Sequence, residues 1–466
     1  MTSIDALLAA DATAQSLALQ SGKLSAEALV SAQLRAIERL NPTLNCFVFV
    51  DAAGALAAAR ASDLRRSRGE ALGPLDGLAV AMKDNIDVAG MPTTAGFGAV
   101  LHVATADAPV VAALRRAGCV LLGKLNMHEA ALGSSNDNPH LGRCGNPYDP
   151  EFTPGGSSGG SGAAVAAALC AMALGSDTMG SVRIPAACCG VIGFKASVES
   201  IPTAGSLACC RRLDHLGPLT RSVRDLALFM PVLSRFGAFR DWAGIVGGAP
   251  ATLRIGVATG LETLAPDPAV RAALNTAATA LRDAGFAVEE QSLTGFDFGA
   301  VRRAGLFATE ADVSVEHAPL IAERPEAVSA ELTRLLLWVS GKSAVELARA
   351  EATIDAARQW LLDQLEEFDV LLWPTSPNPV FRFDEAHPAT HADLTCVANM
   401  AGVPALSLPA GLDTRGFPLG VQLLGRPGAD VALATLAAVL ESALPALPPP
   451  TWHVASCRAD GQDFAE

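Results

Sequence analysis

Residues 154–174 read PGGSSGGSGAAVAAALCAMAL, a turn of five glycines, three serines and one proline that runs directly into twelve apolar residues. No other stretch limits the fold as much. Glycine removes the Cβ restriction on the backbone, while the apolar run must be buried. Twelve residues are too few to cross a bilayer, so Ala163–Leu174 is expected to form a helix inside a large core. The loop itself admits three readings: a flexible linker, a phosphate cradle or the mount for a nucleophile. A linker would separate two units, whereas this one feeds a core element, and backbone N–H groups gather where glycines precede a helix.

The chain can supply such a core, with 466 residues of which 50% are apolar and 18% charged. Length alone suggests roughly three domains, although large α/β enzymes run longer as one unit. A net charge of −14 without any arginine-rich run argues against a nucleic-acid partner. The ten cysteines include the adjacent pairs Cys188–Cys189 and Cys209–Cys210, and no CxxC spacing occurs. They read as small buried hydrophobes in a reducing cytoplasm. No basic region precedes an apolar run at the N-terminus, so no signal peptide and no membrane association are expected.

Residues 4–66 are rich in Ala and Leu with charges at helical spacing, and read as helices interrupted at Asn41-Pro42. From there short apolar strands alternate with helices. Strands are expected at 77–83, 120–124, 253–258, 288–292 and 369–374, with two more inside 399–425. Helices are expected at 109–117 and 268–284, a loop at 132–154, and a mostly helical segment at 296–367. The alternation predicts an α/β sheet covered on both faces.

The glycine loop fits neither common phosphate motif. A P-loop needs Lys and Ser/Thr after its last glycine, and here Gly160 is followed by Ser161 and Gly162. The dinucleotide fingerprint spacing is absent. A Ser–His–Asp elbow would be read at Gly156-Ser157-Ser158-Gly159, where the second glycine comes one place early. His128, in NMHEAALG, reads as a surface or capping residue, and no metal-ligand spacing occurs.

A triplet without histidine is left: Lys83 in AMKDNIDVAG, Ser157 in the glycine loop, and Ser181 in GSDTMGSVRIPAACCGVIGFK. With NMHEAALGSS, DHLGPLTRSVRDLAL, DVLLWPTSPNP and NMAGVPALSLPAGLDTRGFPLGVQLLG, these blocks resemble the amidase signature family of Ser–Ser–Lys amide hydrolases. The resemblance covers most of residues 70–230 and again 369–425. It implies one α/β domain, a large mixed twisted sheet sandwiched by helices, spanning 67–466 behind a packed N-terminal helical segment 1–66. The variable helical stretch 296–367 would lie on the substrate side.

The resemblance further implies that Ser181 is the nucleophile forming an acyl-enzyme. Ser157 would be the bridging serine, preceded by a cis peptide bond, and Lys83 the base. Backbone N–H groups of Thr178, Met179, Gly180 and Ser181 would form an oxyanion hole. A lysine titrates near 10.4 in water and cannot take a proton at pH 7; burial disfavours its charge, which suits a lysine closing an apolar strand. Around the triplet, Ser158 is expected to hydrogen-bond nearby, Asp177 and Arg183 to form an ion pair bracing the loop, and Asn399 and Gln422 to support backbone. Met179 stands where the family commonly has glycine, so its side chain would narrow the acyl or leaving-group pocket. The loop after Lys195 also departs from the family pattern.

The expected activity is hydrolysis of a small-molecule carboxamide to carboxylate plus ammonia or an amine, with no cofactor and no metal, in the cytoplasm. A homodimer is left open. One rival is the amidase subunit of a glutamine-dependent tRNA amidotransferase, which needs partner subunits. The acidic composition and the non-glycine oxyanion loop favour a stand-alone enzyme over it. The other rival is a non-catalytic binding or assembly protein on the same scaffold, against which the intact Lys83, Ser157 and Ser181 speak.

Overall fold

Short buried segments joined by helices pair into one sheet because each strand is apolar on both sides and must be covered twice. In the computed structural model, which describes residues 4–236, 241–249 and 252–454, the strands are β1 (Phe47–Val50), β2 (Ala79–Lys83), β3 (Pro92–Thr93), β4 (His102–Val103), β5 (Val120–Leu125), β6 (Met172–Asp177), β7 (Ile192–Lys195), β8 (His215–Thr220), β9 (Arg254–Thr259), β10 (Ala287–Ser292), β11 (Val370–Pro374), β12 (Ala405–Leu412) and β13 (Pro418–Gly425). Eleven of them form a mixed sheet in the order β1-β5-β2-β6-β8-β7-β12-β13-β11-β9-β10, and β3 pairs with β4 apart from it. β2 runs parallel to both β5 and β6, and β9 parallel to β10 and β11; the remaining pairs are antiparallel.

Alternate residues of one strand point to opposite faces, and β11 makes the consequence visible. Val370 and Leu372 join the main core, built with the helices Ala26–Leu44, Pro268–Asp283 and Asp430–Ala443. Leu371 and Trp373 join a second core under the helices Phe298–Glu316, Ala344–Glu367 and Cys396–Ala401. The fold is therefore a single α/β domain whose large mixed sheet is flanked by helices, as expected. The strands anticipated at 77–83, 120–124, 253–258, 288–292 and 369–374 are all present, and 296–367 is mostly helical.

Three local expectations are corrected. The run Ala163–Leu174 is not one helix. A helix covers Gly159–Ala166, Ala168 turns the chain at φ 61, and Met172 opens β6. An unbroken apolar run carries no period to separate a buried helix from a buried strand. Residues 4–66 are not all helical either: β1 pairs antiparallel with β5 at the sheet edge. Nor does Asn41-Pro42 interrupt its helix, which continues to Leu44 before Asn45 takes a left-handed conformation. The Asn41 side chain then pairs with the backbone of Phe47, accepting at 2.7 Å and donating at 2.9 Å, and so starts β1.

Nine of the cysteines are described, and all are buried and free. No helix among the described residues is long and apolar enough to cross a membrane.

Candidate active site

β2 and β6 lie side by side and parallel, with Met82 opposite Leu174. Their carboxyl ends therefore bring Lys83 level with the stretch Gly175–Asp177, where ligands collect in α/β sheets. Lys83 is fully buried. Its Nζ donates to Ser157 Oγ at 2.7 Å and to Ser176 Oγ at 2.8 Å. Burial lowers the Lys83 pKa from 10.5 to about 7, against the opposing pull of the nearby Asp214 and Asp177 carboxyls.

The glycine loop holds Ser157 in place. The Gly156–Ser157 peptide bond is cis, and the Ser157 carbonyl accepts from His128 N–H at 3.1 Å. Gly156 and Gly159 are needed for close approach: a Cβ on either would sit 2.9 Å or less from an atom of the 133–136 loop. Ser158 bridges the two serine segments, its N–H donating to the Ser181 carbonyl at 3.2 Å and its hydroxyl to the Ser176 carbonyl at 3.1 Å. Ser181, 8% exposed, lines a cavity of about 430 Å³, while Ser157 and Lys83 lie behind it at 0%. No hydrogen bond joins the Ser157 and Ser181 hydroxyls among the described residues; the inner leg, Lys83 to Ser157, is formed.

The nucleophile-side loop is organised by Asp177. Its carboxylate accepts from the N–H groups of Gly180 at 2.7 Å and Val182 at 3.2 Å, and pairs with the Arg183 guanidinium at 3.0 Å. Burial pushes the Asp177 carboxyl upward, but the Arg183 charge and hydrogen bonds, with Asn399 and Lys195, hold it well below the usual carboxylate range. Arg183 also donates to Asn399 Oδ1 at 2.6 Å and Gln422 Oε1 at 2.9 Å, so the expected ion pair and supports are in place. The Gly180 N–H is the exception among the expected oxyanion donors, because Asp177 occupies it.

Met179 lines the cavity and packs against the Phe298–Glu316 helix, where a Cβ on Gly305 would lie 3.1 Å from Met179 Cε. Its carbonyl accepts from Thr395 Oγ1 at 2.7 Å. His128 is half-buried and stands at the N-cap of the Glu129–Ala131 turn without a side-chain cap hydrogen bond; it lines the same cavity, and burial lowers its pKa to about 4. Among the described residues, no group of three His, Cys, Asp or Glu side chains could hold a metal ion.

Sequence reasoning missed Ser176, Thr395 and Arg302. Ser176 stands two residues past the run misread as a helix. With β6 assigned as a strand, its side chain would have fallen beside the neighbouring Lys83. Thr395 and Arg302 lie more than a hundred residues from the glycine loop and carry no local signal.

Ser181 on the cavity wall, with Lys83 and Ser157 paired behind it, stands in an α/β fold shared with solved enzymes that act on amide C–N bonds. A family model described as Amidase matches residues 28–434. The chain belongs to that family. Among curated relatives, one of the subunits of the glutamyl-tRNA(Gln) amidotransferase of Myxococcus xanthus is 35% identical over 91% of this chain and 95% of its own length. The same subunit of the Chloroflexus aggregans enzyme is 36% identical over 89% and 92%. Among solved structures, a chain from a vestigial protein complex bearing on the origins of an s-triazine catabolic enzyme superposes with a TM-score of 0.87 at 31% identity, covering 94% of this chain and 100% of that one. A 6-aminohexanoate cyclic dimer hydrolase complexed with substrate gives 0.86 at 29% identity, over 96% and 99%.

Proposed function

We propose that the protein hydrolyses a carboxamide through an acyl-serine on Ser181, with Ser157 as proton relay and Lys83 as base. The observation that carries this reading is a fully buried lysine, its pKa lowered by burial to about 7, in contact with a serine behind the cavity on which Ser181 opens. While charged, Nζ donates to Ser157 Oγ; once neutral, the same 2.7 Å contact lets the hydroxyl donate to Nζ. Ser157 then accepts the Ser181 proton as Oγ of Ser181 attacks the amide carbon. In this scheme the Ser157–Ser181 contact closes in the substrate complex, where catalytic contacts tighten. The proton returns by the same path to the leaving nitrogen, and water releases the acyl group. N–H groups of Met179 and Ser181, with Thr178, are the oxyanion donors in this scheme, each worth on the order of 10²–10³-fold in rate.

A second reading is favoured by the curated relatives, which are amidotransferase subunits at about the same identity across nearly the whole chain. Here glutamine is the amide and the ammonia passes to partner subunits. The relatives favour this reading over the stand-alone enzyme preferred from composition. Both share the Ser181 chemistry. Fluorophosphonate labelling followed by mass spectrometry tests that common part: an adduct on Ser181 is expected, and its absence in folded protein contradicts it. Glutaminase activity that rises on adding amidotransferase partner subunits selects the second reading; ammonia release from amides by the chain alone, unchanged by them, selects the first.

A further inference from the structure

One charged side chain on the cavity wall has no part in the chemistry just described. Arg302 projects from the Phe298–Glu316 helix and lines the cavity with Leu306 and Thr309, at i+4 and i+7 on the same helix face. That helix abuts the nucleophile loop at Gly305, beside Met179. Arg302 is three residues away, about 4.5 Å of helix rise. Its Nε donates to Asp393 Oδ1; the Asp393 side chain is 1% exposed and that of Arg302 15%. Among the described residues, Nη1 and Nη2 make no hydrogen bond.

A guanidinium held by one edge is a fixed fork whose other N–H donors await a planar acceptor. Among the described residues it is also the only cation on this wall. The three imidazoles there, His128, His387 and His391, are all held toward the neutral form by burial, which lowers His128 to about 4 and His391 to about 3 and shifts His387 the same way. Asp137, Glu331 and Glu385 also line the cavity.

We infer that Arg302 binds a carboxylate on the acyl part of the substrate, so that the enzyme prefers ω-amides of dicarboxylic acids, glutamine among them, to neutral amides. The inference rests on hydrolysis at Ser181. It assigns the acyl-side anchor and the substrate class, which the triad leaves open. Asp393 is a positioning residue here: it fixes the Nε edge and leaves the bidentate edge to the ligand.

The test compares glutaramate, the monoamide of glutaric acid, with butyramide, which lacks the carboxylate. In wild type, kcat/KM is expected to be higher for glutaramate. In R302M the ratio of the two is expected to fall by about 10- to 100-fold, as for loss of hydrogen bonds to a charged group. R302K keeps a positive charge against Asp393 and is expected to lie between. The rate of Ser181 labelling by a fluorophosphonate reports whether each variant is folded. Glutarate is expected to slow that labelling in wild type and not in R302M. A wild type that prefers butyramide, or a ratio unchanged in both variants, overturns the anchor while leaving Ser181 chemistry intact. Failure of wild type to label and to cleave either amide overturns the hydrolysis reading, and this inference with it.

Discussion

Lys83 Nζ lies 2.7 Å from Ser157 Oγ with both side chains fully buried, at the carboxyl end of a strand whose parallel neighbour leads into Ser181. The sheet sets that distance: β2 and β6 are adjacent and in register, and the glycine loop closes over their ends.

The pH dependence follows. Lys83 is a base only when neutral, and its pKa is lowered to about 7. kcat/KM should therefore rise with pH through an acidic limb near 7. Lys83→Met should cut kcat by about 10²–10⁴-fold, the usual worth of a general base. Folding carries the opposite sign to a stabilising charge. The unfolded lysine keeps its proton up to about 10.4, so native stability rises between the folded and unfolded values. Thermal melts should show Lys83→Met gaining most over wild type below pH 7, with the gain shrinking toward pH 10.

Ser176 Oγ accepts from Lys83 at 2.8 Å and from Asn85 Nδ2 at 3.2 Å. Acceptance of a lysine proton favours the charged form. Ser176→Ala should move the acidic limb of kcat/KM to lower pH and reduce kcat with little change in KM. A profile that does not move would reduce Ser176 to a packing residue.

Much of this arrangement was legible in the sequence, and the losses have specific causes. Runs such as Ala79–Lys83 and Val370–Pro374 are short, apolar and bounded by breakers, which is what a strand buried on both faces requires. Lys83, Ser157 and Ser181 stood out because residue type and long motif agreed. β1 was missed because four residues between helices give too short a pattern, and its identity depends on β5, some seventy residues on. The helix–turn–β6 segment was missed because alanine-rich burial looks alike in both states. The Gly180 N–H was assigned to the oxyanion hole, but the structure turns it to Asp177, a carboxylate only three residues back whose backbone contacts no motif announces.

Gly180 has φ +120, and a Cβ there would collide with Thr395 Oγ1. Gly180→Ala must therefore shift either the nucleophile loop or the Thr395 hydroxyl that holds the Met179 carbonyl. The expected result is a large fall in kcat with the protein still folded by circular dichroism. Thr395→Ser should retain most activity and Thr395→Val should lose it.

Asp177 and Arg183 are a fully buried pair, both at 0% exposure. Removing one partner leaves an uncompensated charge, worth about 3–5 kcal/mol. Asp177→Asn should lower the denaturant midpoint accordingly. Because the native carboxyl is held below its ordinary 3.8, its stabilisation is full above that value and is lost as pH falls below it. Urea titrations of wild type and variant should therefore differ most at neutral pH and converge in acid.

The claim beneath all of this is that the amine of Lys83 sheds its proton near neutrality inside the folded protein. Lysine side-chain NMR with selective ¹³Cε labelling, assigned through Lys83→Met, reads that protonation directly. The account predicts a titration midpoint near pH 7. A Lys83 resonance that stays in its ammonium form to pH 10 would contradict it.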